Sequence, residues 1–129
     1  MALTKDLILA QIDLPREEIE VPEWGGTIWI GVMPGSERDA FEAESANLTK
    51  AGNGLNNFRA RYCARAIVDD QGKRLFCSDA DINALGQTSG TALDRIFDAA
   101  RKINRLGDDD LEELEKNSQA TQADGSSSG

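Results

Sequence analysis

Histidine is absent from this 129-residue chain. That removes the side chain most used to move protons near neutral pH, and the commonest transition-metal ligand. Cysteine occurs only twice, at Cys63 and Cys77, too few for a disulfide framework. Cys63 lies among apolar helix positions and reads as a small buried hydrophobe. Cys77 reads as half-buried, and both as free thiols of a reducing compartment. No stretch approaches the ~20 apolar residues of a membrane span. Lys5 and Asp6 interrupt the only apolar run near the N-terminus, so no signal peptide is expected. Positive charge is scarce, with 14 Lys and Arg against 23 Asp and Glu and a net charge of -9. Such a field repels phosphate backbones and anionic lipids, so neither nucleic acid nor membrane is an expected partner.

What is present suffices for one modest core, since 40% of the residues are hydrophobic. Thr4 is placed to cap a short helix with Leu7, Ile8 and Ile12 on its apolar side, ended by Pro15. Ile19 and Val21 alternate with glutamates, and Ile28, Ile30 and Val32 with Thr27, Trp29 and Gly31. Gly25-Gly26 between the two runs predicts a β-hairpin, with Pro22 at an edge or beyond the paired region.

Ser36 and Asp39 have capping-box spacing for a helix from Glu37 to about Lys50, burying Phe41 and Leu48 with Ala40 and Ala43 as spacers. Leu55, Phe58, Tyr62, Ala66 and Ile67 recur at helical spacing, as the central helix. Asp69-Asp70-Gln71-Gly72 is a turn that could join Ile67-Val68 to Leu75-Phe76 as a second short hairpin. Ser78 and Asp81 repeat the capping pattern, and Gly86 suits a left-handed helix end. Thr88 or Ser89 starts a helix with Leu93, Ile96, Phe97, Ala100 and Ile103 on one stripe, closed by Leu106-Gly107. Asp108-Asp109-Asp110 begins a final short helix with Leu111 and Leu114. From Asn117 on, nothing larger than alanine could join a core, and a disordered tail over 117–129 is expected. The fold class is α+β, a mainly helical domain over 1–116 with an N-terminal hairpin.

No constellation points to chemistry. The run Asp108–Asp110 lacks the alternation and distant Glu of a calcium loop, and it reads as a solvated helix start. There is no phosphate-binding glycine loop, and the serines have no histidine to activate them. Catalytic residues, cofactors and metal sites are therefore all expected to be none. Trp24 and Trp29 could flank a carboxylate pair in a small hydrolase or sugar-binding protein, but Trp24 is more simply a cover for the open end of the core. Trp29 stands on the strand face opposite Ile28 and Ile30. It either packs within the domain or meets a partner. Arg61 and Arg65 share a helix face, where they either pair with internal carboxylates or form a dock for an acidic segment. Trp29, Arg61, Arg65, Leu111 and Leu114 are the candidate partner contacts.

Val21-Pro22-Glu23-Trp24-Gly25-Gly26 followed by Ser36-Glu37-Arg38-Asp39-Ala40-Phe41-Glu42 resembles the tail assembly chaperones of long-tailed bacteriophages. Asn57-Phe58-Arg59-Ala60-Arg61, the turn from Asp69 to Phe76, and Ala92-Leu93-Asp94-Arg95-Ile96-Phe97 extend the likeness over residues 3–116. The resemblance implies a non-enzymatic factor of the host cytoplasm, absent from the mature virion. Its partners would be the tape measure protein, which it keeps soluble, and the major tail tube protein, whose subunits it helps recruit. It would be the shorter form, partnered by a longer product of ribosomal frameshifting joined near Asn117. Coating a long client also implies weakly associating copies, as a possible homo-oligomer. A structural head–tail or tail virion component is the alternative of the same size and acidity.

Overall fold

The computed structural model describes residues 2–105. In chain order these form α1 (Lys5–Leu9), β1 (Arg16–Val21), β2 (Gly26–Gly31), α2 (Gly35–Lys50), α3 (Phe58–Ala66), β3 (Ile67–Val68), α4 (Asp79–Gly86) and α5 (Gly90–Ile103). This is the expected small α+β domain, with an N-terminal hairpin and a mainly helical core. The helix expected at Asp108–Leu114 and the tail from Asn117 lie outside the described residues.

The hairpin register places Ile19 opposite Ile28 and Val21 opposite Gly26. Opposed residues share a face, so Ile19, Val21, Ile28 and Ile30 all look toward the helices. Val21 and Ile30 are fully buried. The connection is a single 3-10 turn, Pro22–Trp24, closed by Gly25 at φ 73°. That left-handed geometry suits glycine. Pro22 falls outside the ladder, where its missing N–H costs nothing.

β3 joins the free side of β2, giving the order β1-β2-β3. Ile67 lies opposite Ile30 on the core face, and Val68 lies opposite Trp29 on the other. The second hairpin is present in truncated form. Asp69 closes its turn by accepting from the Gln71 and Lys73 N–H groups at 2.8 and 2.9 Å. The return strand is a single bridge from Val68 to Arg74. Arg74 then donates to the carbonyls of Ala64 and Phe76, which turns the chain away from the sheet.

α3 and α5 are packed against each other, and α5 against β1 and β2. α5 buries Leu93, Ile96, Phe97 and Ala100 of its predicted stripe, while Ile103 at its end is half-buried. Four rings join the helices edge to face: Phe41 to Phe58 and Tyr62, and both of these to Phe97. Their centroid separations of 5.2 to 6.1 Å are those favoured by the ring quadrupole. Burial in this cluster pushes the Tyr62 phenol up to about 12.

Several local expectations are corrected. α2 begins at Gly35 with Pro34 as its cap, so Ser36 is already helical and caps nothing. Its buried positions are Phe41, Ser45 and Thr49, spaced by one helical turn, while Leu48 is half-buried and Ala40 and Ala43 are exposed. Leu55 precedes α3 and is exposed. Gly86 is the last residue of α4 rather than a left-handed cap. α5 ends before Leu106. Asn104 is its C-cap and Arg105 takes the left-handed turn at φ 55°. α1 stops at Leu9, well short of Pro15, and buries nothing. The capping box of Ser78 with Asp81 and the cap at Ser89 form as predicted.

Candidate interaction surface

Thr4 caps α1 by accepting from the Leu7 N–H. A helix of one and a half turns cannot sort its side chains onto one narrow face. Leu7, Ile8 and Leu9 follow one another around the axis, and Leu3 and Ile12 flank them. All five are exposed, Ile12 at 83%. Five large aliphatic side chains are thus left in water within ten residues, more apolar exposure than scattered surface positions account for.

The segment after α1 leads into a cleft of about 220 Å³. Ile12, Leu14, Val32 and Val68 give it apolar walls, and Arg16, Arg65 and Arg74 line it with charge. Glu37, on the first turn of α2, pairs with both Arg65 and Arg74. One turn pair further along, Glu44 lies 3.6 Å from Arg61 and 3.9 Å from Arg65. Two carboxylates seven apart on α2 therefore face two arginines four apart on α3. The Arg65 Nε atom is buried and has no acceptor.

Arg61 is 5% exposed. It donates to the carbonyls of Asn56 and Gly54 and to the Ser45 hydroxyl. Its guanidinium stands 5.9 and 5.7 Å from the Phe41 and Phe58 ring centres. Burial makes its protonated form less favourable than usual, with Glu44 opposing that effect. Arg61 thus serves internal pairing, and what little of it stays exposed lines the groove between α2, α3 and α4. Arg65 is also largely enclosed, but it reaches the cleft.

Trp29 is half-buried on the outer face of the sheet, beside Glu18 and Val68. That is the face the alternation assigned to it. Leu111 and Leu114 lie outside the described residues. Trp24 is partly exposed in the hairpin turn. Next to it, Glu23 forms a two-pronged pair with Arg95 at 3.0 and 3.1 Å. That bond holds the Glu23 carboxyl below its ordinary range, as the backbone bonds from Lys73 and Gln71 do for Asp69.

A second, shallower groove of about 490 Å³ lies between α2, α3 and α4, with Asn47, Asn56, Asn57 and Asn83 around it. Among the described residues no group of three or more Cys, Asp or Glu is placed to hold a metal ion. Cys63 is buried and Cys77 exposed, both free.

The sequence reading missed the exposure of Leu7, Ile8, Leu9 and Ile12, and the placing of Arg16 and Arg74 in one cleft. A signal for the first was available, because apolar residues at the three consecutive positions 7, 8 and 9 wrap around a helix instead of lining it. None was available for the second, since Arg16 and Arg74 are joined only through the β-sheet register.

Protein-family models, curated proteins and solved structures were compared with the chain, and none matches. No helix among the described residues is long and apolar enough to cross a membrane.

Proposed function

We propose that this protein is a tail assembly chaperone of a long-tailed bacteriophage, which binds the tape measure protein and keeps it soluble until tail tube subunits replace it. The observation that carries the reading is the exposed aliphatic segment of Leu3, Leu7, Ile8, Leu9 and Ile12 on an otherwise acidic domain. An amphipathic client helix binds by laying its apolar stripe on such a surface. The net charge of -9 keeps many copies soluble while the apolar contact is vacant. The sequence resemblance supports the same reading, because its segments build the hairpin turn, α2, α3 and α5.

In this scheme no residue has a catalytic role, and no cofactor or metal takes part. The partners are the tape measure protein, the major tail tube protein, a longer frameshifted form of the chain and further copies of itself. The site of action is the host cytoplasm.

Co-expression with the neighbouring tape measure protein tests the proposal. The chain should co-purify with it, and a Leu7→Asp, Ile12→Asp variant should lose about ten-fold or more of the captured client while keeping its thermal midpoint, because neither residue is buried. Failure of the unaltered chain to capture any tape measure fragment would sink the reading. Mass spectrometry of purified virions separates the chaperone from a structural tail component, which would be present in stoichiometric amount.

A further inference from the structure

Of the two edges of the sheet, the one at β3 is closed. There the Leu75 N–H donates to the Ile67 carbonyl at 3.3 Å, and the Asp69 N–H donates to the Lys73 carbonyl at 2.8 Å. β1 is the other edge, in the order β1-β2-β3. The Val32 N–H donates to the Pro15 carbonyl at 2.9 Å, which sets the phase of the ladder. Bonded positions alternate along an antiparallel strand. Glu17, Ile19 and Val21 therefore exchange bonds with β2, while Arg16, Glu18 and Glu20 turn their N–H and C=O groups outward. No described residue bonds those outward main-chain groups. Pro15 and Pro22 bracket this open edge, and neither has an N–H to extend it.

The edge is acidic. Glu17, Glu18 and Glu20 are exposed, and among the described residues none has an arginine or lysine within salt-bridge distance. Two cations stand near them, and both are engaged. Arg16 bonds Asp13 and the Asp70 carbonyl. Arg95, whose charge reaches Glu20, forms its two-pronged pair with Glu23. An open edge of this kind is a template for one more strand. We propose that β1 takes up an antiparallel strand from a partner protein that carries lysine or arginine opposite Glu18 and Glu20 and an apolar residue opposite Ile19.

Charge selects this occupant over a second copy. Two β1 strands laid antiparallel set Glu18 against Glu18, or against Glu20 when shifted by two residues. Like charges directly opposed destabilise a strand pair. Only Arg16 could compensate, and it is held by Asp13 and Asp70. A basic strand meets the same glutamates as partners, and its main chain supplies the missing ladder bonds. The contact is separate from the exposed aliphatic segment at α1, and it stands whether or not the chain is a tail assembly chaperone.

A capped heptapeptide in which two lysines flank a central valine, with threonine elsewhere, is the probe, and amide hydrogen exchange read by NMR is the measurement. At ~20 mM salt and with peptide in excess, the Glu18 and Glu20 amides should exchange about ten-fold more slowly. Ile19, already bonded to β2, should change less than about two-fold, and Asn83 and Ala84 on α4 should not change. Salt at about 0.5 M should weaken the effect. N-methylation of both lysines removes the N–H groups that face β1 and should abolish the protection. N-methylation of the valine, whose N–H faces away, should leave it. Glutamate in place of both lysines should abolish it too. Unchanged exchange at Glu18 and Glu20 overturns the proposal, as does equal protection by the lysine-methylated or the glutamate peptide. So does protection present without peptide that fades on dilution, which would assign the edge to a second copy.

Discussion

The Asn57 side-chain oxygen lies 2.5 Å from where a β-carbon on Gly86 would stand. Asn57 is itself held at φ 52° and donates to Asn83. Gly86 is therefore needed for the close approach of α4 to the start of α3, and not for a left-handed turn. A methyl group there must push Asn57 aside, at a cost of about 1–3 kcal/mol. The gain in helix propensity, up to ~1 kcal/mol, is smaller at a last helical residue. Gly86→Ala should lower the stability by about 1 kcal/mol in urea unfolding. Asn57→Gly in the same chain should recover most of that loss by removing the clashing amide. An Ala variant as stable as the parent would refute the account.

Asn104 makes three bonds from a buried position, to the Met33 N–H at 2.7 Å, the Gly31 carbonyl at 3.2 Å and the Ala100 carbonyl at 2.9 Å. Asn104→Ala leaves the first two backbone groups without their partner. Each such orphan costs about 1–3 kcal/mol, so a total loss of about 2–6 kcal/mol is expected by denaturant titration. Asn104→Asp keeps the acceptor for Met33 but turns a carboxylate toward the Gly31 carbonyl. It should be no better than Ala at neutral pH and should recover as the pH is lowered.

Arg61→Ala should cost about 3–5 kcal/mol, because it orphans the Gly54 and Asn56 carbonyls and removes the nearer of the two arginines beside Glu44. Arg61→Lys should rescue less than half of this. An ammonium group cannot reproduce the flat fork that reaches Ser45 and two carbonyls at once. Thermal melts of the three chains would show the order, and a lysine variant with the parental midpoint would contradict it.

The two thiols should behave oppositely. Cys77 is exposed and should react with an aromatic disulfide reagent in the native state, whereas Cys63 should react only after unfolding. Burial pushes the Cys63 thiol up to about 12, against an unfolded value of ~8.5. The fold thus keeps a proton that the unfolded chain gives up. The Cys63 contribution is whole below ~8.5 and is lost as pH rises from there, at about 1.4 kcal/mol per unit. Stability measured from pH 8 to about 10 should therefore fall less steeply in Cys63→Ala than in the parent. Glu23 and Asp69 act in the other direction. Their lowered values add stability above the normal carboxylate range, and it is lost as the pH falls through them.

The fold was legible wherever the pattern was local. Alternation at Ile19, Val21, Ile28 and Ile30 named the hairpin and its buried face, and the stripe from Leu93 to Ala100 named α5. Capping by Ser78 and Ser89 was readable because the donors lie within three residues. What failed depended on residues far apart. Gly86 was read as a turn former because Asn57 was invisible beside it. Asn104 carried no signal at all, since its partners at positions 31 and 33 come from the other end of the domain. The Arg61–Arg65 face was recognised, but only the ladder of Glu37 and Glu44 on α2 decides that Arg61 turns inward. The candidate surface was the least legible part, because an exposed Leu7 and a buried one look alike until the core is counted.

The hairpin is made early by the ribosome and completed late. Its inner face is covered by α5, and its turn is held by Arg95 across a separation of 72 residues. A two-stranded hairpin alone is marginal in water. At ~5–20 residues per second, the strands wait several seconds for the residues that cover them. Throughout that interval Ile19, Ile28 and Ile30 are sticky, and the glutamates at positions 17, 18 and 20 are the only local defence against other nascent chains. The native state is in this sense gated by length, and a chain broken off before Asn104 should be a substrate for proteolysis rather than a smaller working domain.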